Sequence, residues 1–176
     1  MNSSRITGLI PLFLYPEEGY HELLKEIDPE GFNEDEKEQL GTFLSFLKRS
    51  DLKVLQELYI ESFDMNPSTT LDLGWHLYGE NYNRGKFLVK VRNLMREKGI
   101  KESTELPDHL THIIMVISRM ESAEQKEFGK NYIVPALKKI AKGFENTENP
   151  YKHLIKFINK FFQNQFLEVI PDGSIQ

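Results

Sequence analysis

The stretch LDLGWHLYGENYNRG, Leu71 to Gly85, concentrates side chains that could do chemistry. It holds Trp75, the only tryptophan of the chain, with His76, Tyr78, Tyr82, three glycines and Arg84. His76 is a candidate general base, and with Asp64 it would suit a small helical hydrolase. That chemistry needs a nucleophile, and no serine with a recognisable local frame accompanies it. A buried, hydrogen-bonded histidine is the plainer reading. Gly74, Gly79 and Gly85 do not form a phosphate loop, since no strand precedes them and no Gly-Lys-Ser/Thr follows. They read as permission for a tight bend and close helix approach. Arg84 opens a helix, where its charge opposes the macrodipole. Such a residue serves something else: a carboxylate from Asp64, Glu80 or Asp108, or a ligand contact.

A second cluster lies at ELPDHLTH, 105–112. His109 and His112 sit three apart with Asp108 ahead of them, a spacing compatible with metal ligation. A zinc site wants three or four ligands, and no complementary cluster is visible. The plainer reading is helix capping plus a surface histidine. A metal or cofactor carrier using His76, Asp108 and His109 stands as the alternative function.

Composition narrows the classes. The chain has 176 residues with a formal net charge of −5 and no cysteine. One domain with a sizeable core is expected at that length. The acidic balance argues against a general nucleic-acid binder, which would present a basic face. Without cysteine there are no disulfides, thiolate metal sites or cysteine nucleophiles. RITGLIPLFLYP near the N-terminus is apolar, but Pro11 and Pro16 interrupt it. It reads as a short first helix packed in a core, neither an export signal nor a membrane span. A cytoplasmic chain without stable membrane insertion is expected.

The elements that must position these residues are helices. Apolar side chains recur at helical spacing over 36–48 (Leu40, Phe43, Leu44, Leu47), 52–63, 84–97, 109–120, 132–144 and 151–162. No segment alternates strictly, and no hairpin turn lies between strand-like runs. NEDE at 33–36 supplies an N-cap and an acidic first turn, and Gly99 closes the helix begun near Arg84. The expectation is one all-α bundle of about seven to nine helices over 1–169, with a frayed tail at 170–176.

Against this background, ELYIESFDMNPSTTLDLGWHLYGENYNRGKFLVKVRNLMREKGI, 57–100, resembles the central block of the nitrate reductase delta-subunit family, the NarJ-type molybdenum cofactor assembly chaperones. Tyr59, Phe63, Asp64, Thr70, Leu71, His76, Gly79, Glu80, Arg84 and Gly85 fall in the family's order. ELPDHL resembles its Leu-Pro-Asp-His/Tyr-Leu motif, PLFLYPEEGYHELLKEI its opening helix, and VPALKKIAKGF with NPYKHLIKFI its closing pair. The chain departs from the family at Thr111, Met115 and Val116, where proline, glutamate and phenylalanine are usual.

The resemblance implies a non-catalytic chaperone of the cytoplasm, without a cofactor of its own. Its partner would be the immature catalytic subunit of a molybdoenzyme, held by an N-terminal segment, a twin-arginine-like leader included, while molybdenum cofactor is inserted. Molybdenum cofactor biosynthesis proteins are further expected partners. Such a segment needs an apolar groove with a polar rim. The expected groove residues are Tyr59, Asp64, Leu71, Trp75, His76, Tyr78, Arg84, Asp108 and His109. The glycine-rich stretch and Leu-Pro-Asp-His are expected to meet as one wall, although an antiparallel return after Gly99 would carry Asp108 to the end opposite Arg84.

Overall fold

The computed structural model describes residues 3–167, so the tail at 170–176 lies outside the described residues. Within them the fold is all-α, as the periodicity predicts. The helices are α1 (Ser3–Thr7), α2 (Tyr20–Leu23), α3 (Glu34–Arg49), α4 (Leu52–Tyr59), α5 (Leu73–Tyr78), α6 (Tyr82–Glu97), α7 (Leu110–Ser118), α8 (Ser122–Phe128), α9 (Val134–Gly143) and α10 (Tyr151–Phe166). A wider π segment, Gly129–Ile133, joins α8 to α9, so these ten make nine continuous helices among the described residues.

That π segment explains a boundary the periodicity misplaces. The apolar stripe beginning near Tyr132 suggests a helix start, yet the helix already runs from Ser122. Pro135 has no amide hydrogen and its ring crowds the preceding turn, and the widened turn at 129–133 absorbs the misfit. Elsewhere the caps fall where their chemistry puts them. Asn33 and Glu36 form a reciprocal capping box on α3. Gly99, at φ +64°, ends α6, with the Ile100 amide bonded to the Met95 carbonyl.

The core is apolar and rich in rings. Tyr151 packs on Phe63 and Phe43 at 4.6 and 5.0 Å between ring centroids, and Phe63 packs on Tyr59 at 5.0 Å. Ile6, Leu9, Leu12 and Phe13 are buried, so the N-terminal apolar run does enter the core. Helices α3 and α10 lie antiparallel, shown by His153 against Gln39 and Asn164 against Glu36. Among the described residues no helix is long and apolar enough to cross a membrane.

One core detail carries a prediction. The Tyr151 hydroxyl is buried without a hydrogen-bond partner among the described residues, while its ring is fully packed. A buried unsatisfied hydroxyl costs about 1–3 kcal/mol. Tyr151→Phe is therefore expected to stabilise the protein by roughly 1 kcal/mol in urea denaturation. A loss of stability would show that the hydroxyl has a partner after all.

Candidate functional site

The two motifs do meet. The chain from Gly99 to His109 runs back along α6: Arg92 Nε reaches Glu102 at 2.9 Å, and Arg84 Nε reaches Asp108 at 3.4 Å. This extended return segment, with no helix of its own, removes the difficulty of an antiparallel helix pair. It ends in a two-bond bridge with the segment before α5. The Leu73 amide donates to the Asp108 carbonyl, and the Leu110 amide to the Leu71 carbonyl, both at 2.9 Å.

Arg84 is the hub of this junction. Its Nη2 also binds Asp72 at 3.1 Å, and its guanidinium lies 5.6 Å from the centre of the Trp75 ring. Asp108 is fully buried. Gly74 makes room for it, since a Cβ there would lie 2.5 Å from Asp108 Oδ2. Burial raises the Asp108 carboxyl above its ordinary range, against the opposing pull of Arg84. Asp72 is pushed up to about 6, by burial first and then by the Asp108 charge, with Arg84 again opposing.

His109 and His112 are buried, correcting the expected surface histidine. The capping expectation holds for His109, which is the N-cap of α7. Its Nδ1 accepts from the Thr111 amide at 3.4 Å and pairs with the Thr111 hydroxyl at 2.8 Å. Proline at position 111, usual in the resembled pattern, could give neither bond. Burial drives the His109 pKa down to about 3, so the ring is neutral at physiological pH. With Nδ1 accepting, the proton sits on Nε2, for which no protein partner is found among the described residues. His112 is held by the Leu106 carbonyl and by Ser103.

The His109 ring helps line a cavity of about 240 Å³ with Phe63, Asp64, Thr70, Leu71, Asp72 and Glu105. Three acidic residues and one histidine thus line one space. Three exposed apolar side chains are connected to its lining residues. Met65 and Leu106 adjoin lining residues in sequence, and Tyr15 stacks edge-on against Tyr59, which packs on Phe63.

The sequence pattern of the family described as nitrate reductase delta subunit matches residues 29–164. The chain belongs to this family. Relatives of the delta-subunit chain include the nitrate reductase molybdenum cofactor assembly chaperones NarJ of Escherichia coli K12 and O157:H7, each 31% identical over 122 residues. The match covers 69% of this chain and 51% of each relative, so the chain spans about half their length. A Bacillus subtilis (strain 168) protein assigned the same role is 22% identical over 174 residues, covering 97% of this chain and 94% of that one. The fold matches a crystal structure from Archaeoglobus fulgidus, assigned as a redox enzyme maturation protein, with a TM-score of 0.67 at 20% identity, covering 93% of this chain and 94% of that one.

The delta-subunit fold divides the expected groove residues. Asp64, Leu71 and His109 line the acidic cavity, and Arg84 and Asp108 brace its wall. Tyr59 is in the core, its hydroxyl donating to the Phe13 carbonyl at 3.1 Å, and reaches the acidic cavity only through its ring contact with Phe63. Trp75 and His76 line a different cavity, and Tyr78 a third. His76 is buried and its Nε2 donates to the Thr70 carbonyl at 2.8 Å, the plainer role expected for it.

Neither alternative chemistry assembles. Among the described residues no group of three His, Asp or Glu is placed to hold a metal ion. The carrier set fails because Asp108 is engaged by Arg84, His109 by Thr111, and His76 faces another cavity. Asp64 and His76 likewise line separate cavities, so they form no catalytic dyad. Asp72 and Glu105 escaped the sequence reading. Asp72 sits inside the aromatic stretch and Glu105 directly before Leu-Pro-Asp, but only the bridge at Asp72 and His109 brings both to Asp64.

Proposed function

We propose that this chain is a cytoplasmic chaperone for a nitrate-reductase-type molybdoenzyme. It binds the N-terminal segment of the immature catalytic subunit. It keeps that subunit open while molybdenum cofactor is inserted, in passing contact with the biosynthesis proteins that deliver it, and leaves before membrane attachment or export. It performs no catalysis itself. Family membership supports the class of role, and the acid-lined cavity is the observation that carries the client contact. Its carboxylates suit a lysine or arginine of the bound segment, and the His109 Nε2–H suits a backbone carbonyl. The exposed Tyr15, Met65 and Leu106 suit the segment's apolar face.

The test is calorimetric titration with a synthetic peptide of the catalytic subunit's N-terminal segment. Asp64→Asn and Glu105→Gln are each expected to weaken binding about tenfold, or about 1.4 kcal/mol. Both side chains contribute little to folding, so melting temperature stays unchanged. The salt dependence of association should also flatten in the double variant. Unchanged affinity in both variants would remove the acidic cavity from the client site.

A further inference from the structure

Beside the acidic cavity lies a second one of about 470 Å³, lined by Pro67, Ser68, Trp75, His76, Gly79, Lys139, Lys142 and Gly143. Its charge is opposite. Lys139 and Lys142 stand three residues apart on α9 and so share a face. Neither has a carboxylate within ion-pair distance among the described residues. Lys139 Nζ donates to the His76 carbonyl at 2.6 Å, which satisfies the end of α5 and leaves the ammonium two further hydrogens. Lys142 has no such engagement among the described residues.

Two helix ends, those of α5 and α9, also face this space. A helix C-terminus carries about −0.5 of an elementary charge, so the two together offset roughly half of the two ammonium charges. A net positive field remains in a concavity of ligand size. Gly143 shapes the floor, because a Cβ there would lie 2.5 Å from the Ser68 carbonyl oxygen.

The imidazole narrows the ligand chemistry. His76 gives its Nε2 proton to the Thr70 carbonyl, so the neutral ring presents Nδ1 as an acceptor. Burial lowers the pKa of this ring and keeps it neutral. A ligand that meets both lysines and Nδ1 must be an anion that can also hold a proton. A phosphate monoester does so as its monoanion, the form that prevails below its second pKa near 6. Sulfate is an anion of similar shape without that proton.

We infer that this basic cavity is a binding site for a small phosphomonoester, whose charged oxygens meet Lys139 and Lys142 and whose remaining proton is shared with His76 Nδ1. The site does not depend on the client-peptide reading and lies apart from the acidic cavity.

Trp75 makes the test direct, because it is the only tryptophan and lines the cavity. Tryptophan fluorescence of the full chain is titrated with inorganic phosphate at about pH 6, where the phosphate keeps a proton, at constant ionic strength kept with chloride. A saturable change is expected, with sulfate at least tenfold weaker. Lys142→Glu should weaken phosphate binding at least tenfold. Lys138→Glu, which makes the same change in net charge on a residue outside the cavity, should leave it unchanged. The inference fails if the response to phosphate does not saturate. It fails also if the two lysine variants lose affinity equally, which marks a diffuse field. Sulfate binding as well as phosphate would likewise overturn it, because the shared proton would then play no part.

Discussion

Arg84→Met is expected to destabilise the folded chain by about 3–4 kcal/mol at pH 8, read by urea denaturation. The reason is the company Arg84 keeps. Asp108 is fully buried and loses its guanidinium, while Asp72 loses its partner as well. Methionine replaces the apolar stem, so most of the loss is electrostatic. The stranded Asp108 can escape by taking up a proton, which costs less at low pH. The destabilisation should therefore shrink between pH 8 and pH 5. Adding Asp108→Asn to the Arg84→Met chain should recover much of the loss, because the buried charge is gone. If the double variant is as unstable as the single one, Arg84 acts through packing and its cation does not matter.

His109 predicts the sharpest acid response. Its folded pKa is about 3, against about 6.5 when unfolded, so below pH 6.5 the unfolded chain binds the extra proton. Stability falls with pH across this window, by about 3 kcal/mol between pH 7 and pH 4. Asp72 acts with the opposite sign. Its folded pKa is about 6, against about 3.9 unfolded, so the folded chain binds the proton first and gains about 2 kcal/mol over the same window. Asp108, raised by burial as well, adds to that gain. These terms oppose one another, as do the smaller ones of His76, lowered by burial, and Asp64, raised by it, so the wild-type curve should be shallower from pH 7 to pH 4 than the His109 term alone. His109→Asn keeps a capping acceptor for the Thr111 amide and removes the titration. This variant should become more stable as pH falls, whereas Asp72→Asn should show the unmasked loss. Parallel curves for wild type and His109→Asn would show that His109 is not held neutral by burial.

Much of the fold was legible beforehand. The long helices α3, α6 and α10 each bury one stripe at 3.6-residue spacing, and a stripe is a local property that the order of residues records directly. Their caps, Asn33 with Glu36 and the positive-φ Gly99, were legible for the same reason. The short helices α2 and α5 could not be read from periodicity, because fewer than two turns leave too few positions to show a period. Helix α8 was hidden by Pro135, whose misfit is absorbed in a π turn that depends on what packs around it.

For the site, the sequence alone determined which residues had chemistry to spare: Arg84 at the wrong end of a helix, Asp108 and His109 at the start of another, the glycines between aromatics. Their arrangement was decided by tertiary structure. The return segment after Gly99 paired Leu71 and Leu73 with Leu110 and Asp108, buried the carboxylate beside Gly74, and turned one aromatic stretch into the wall between two cavities of opposite charge. Charge, size and backbone freedom belong to single residues and can be read in order along the chain. Burial, and the pairing of groups 24 residues apart such as Arg84 and Asp108, exist only once the chain has closed on itself.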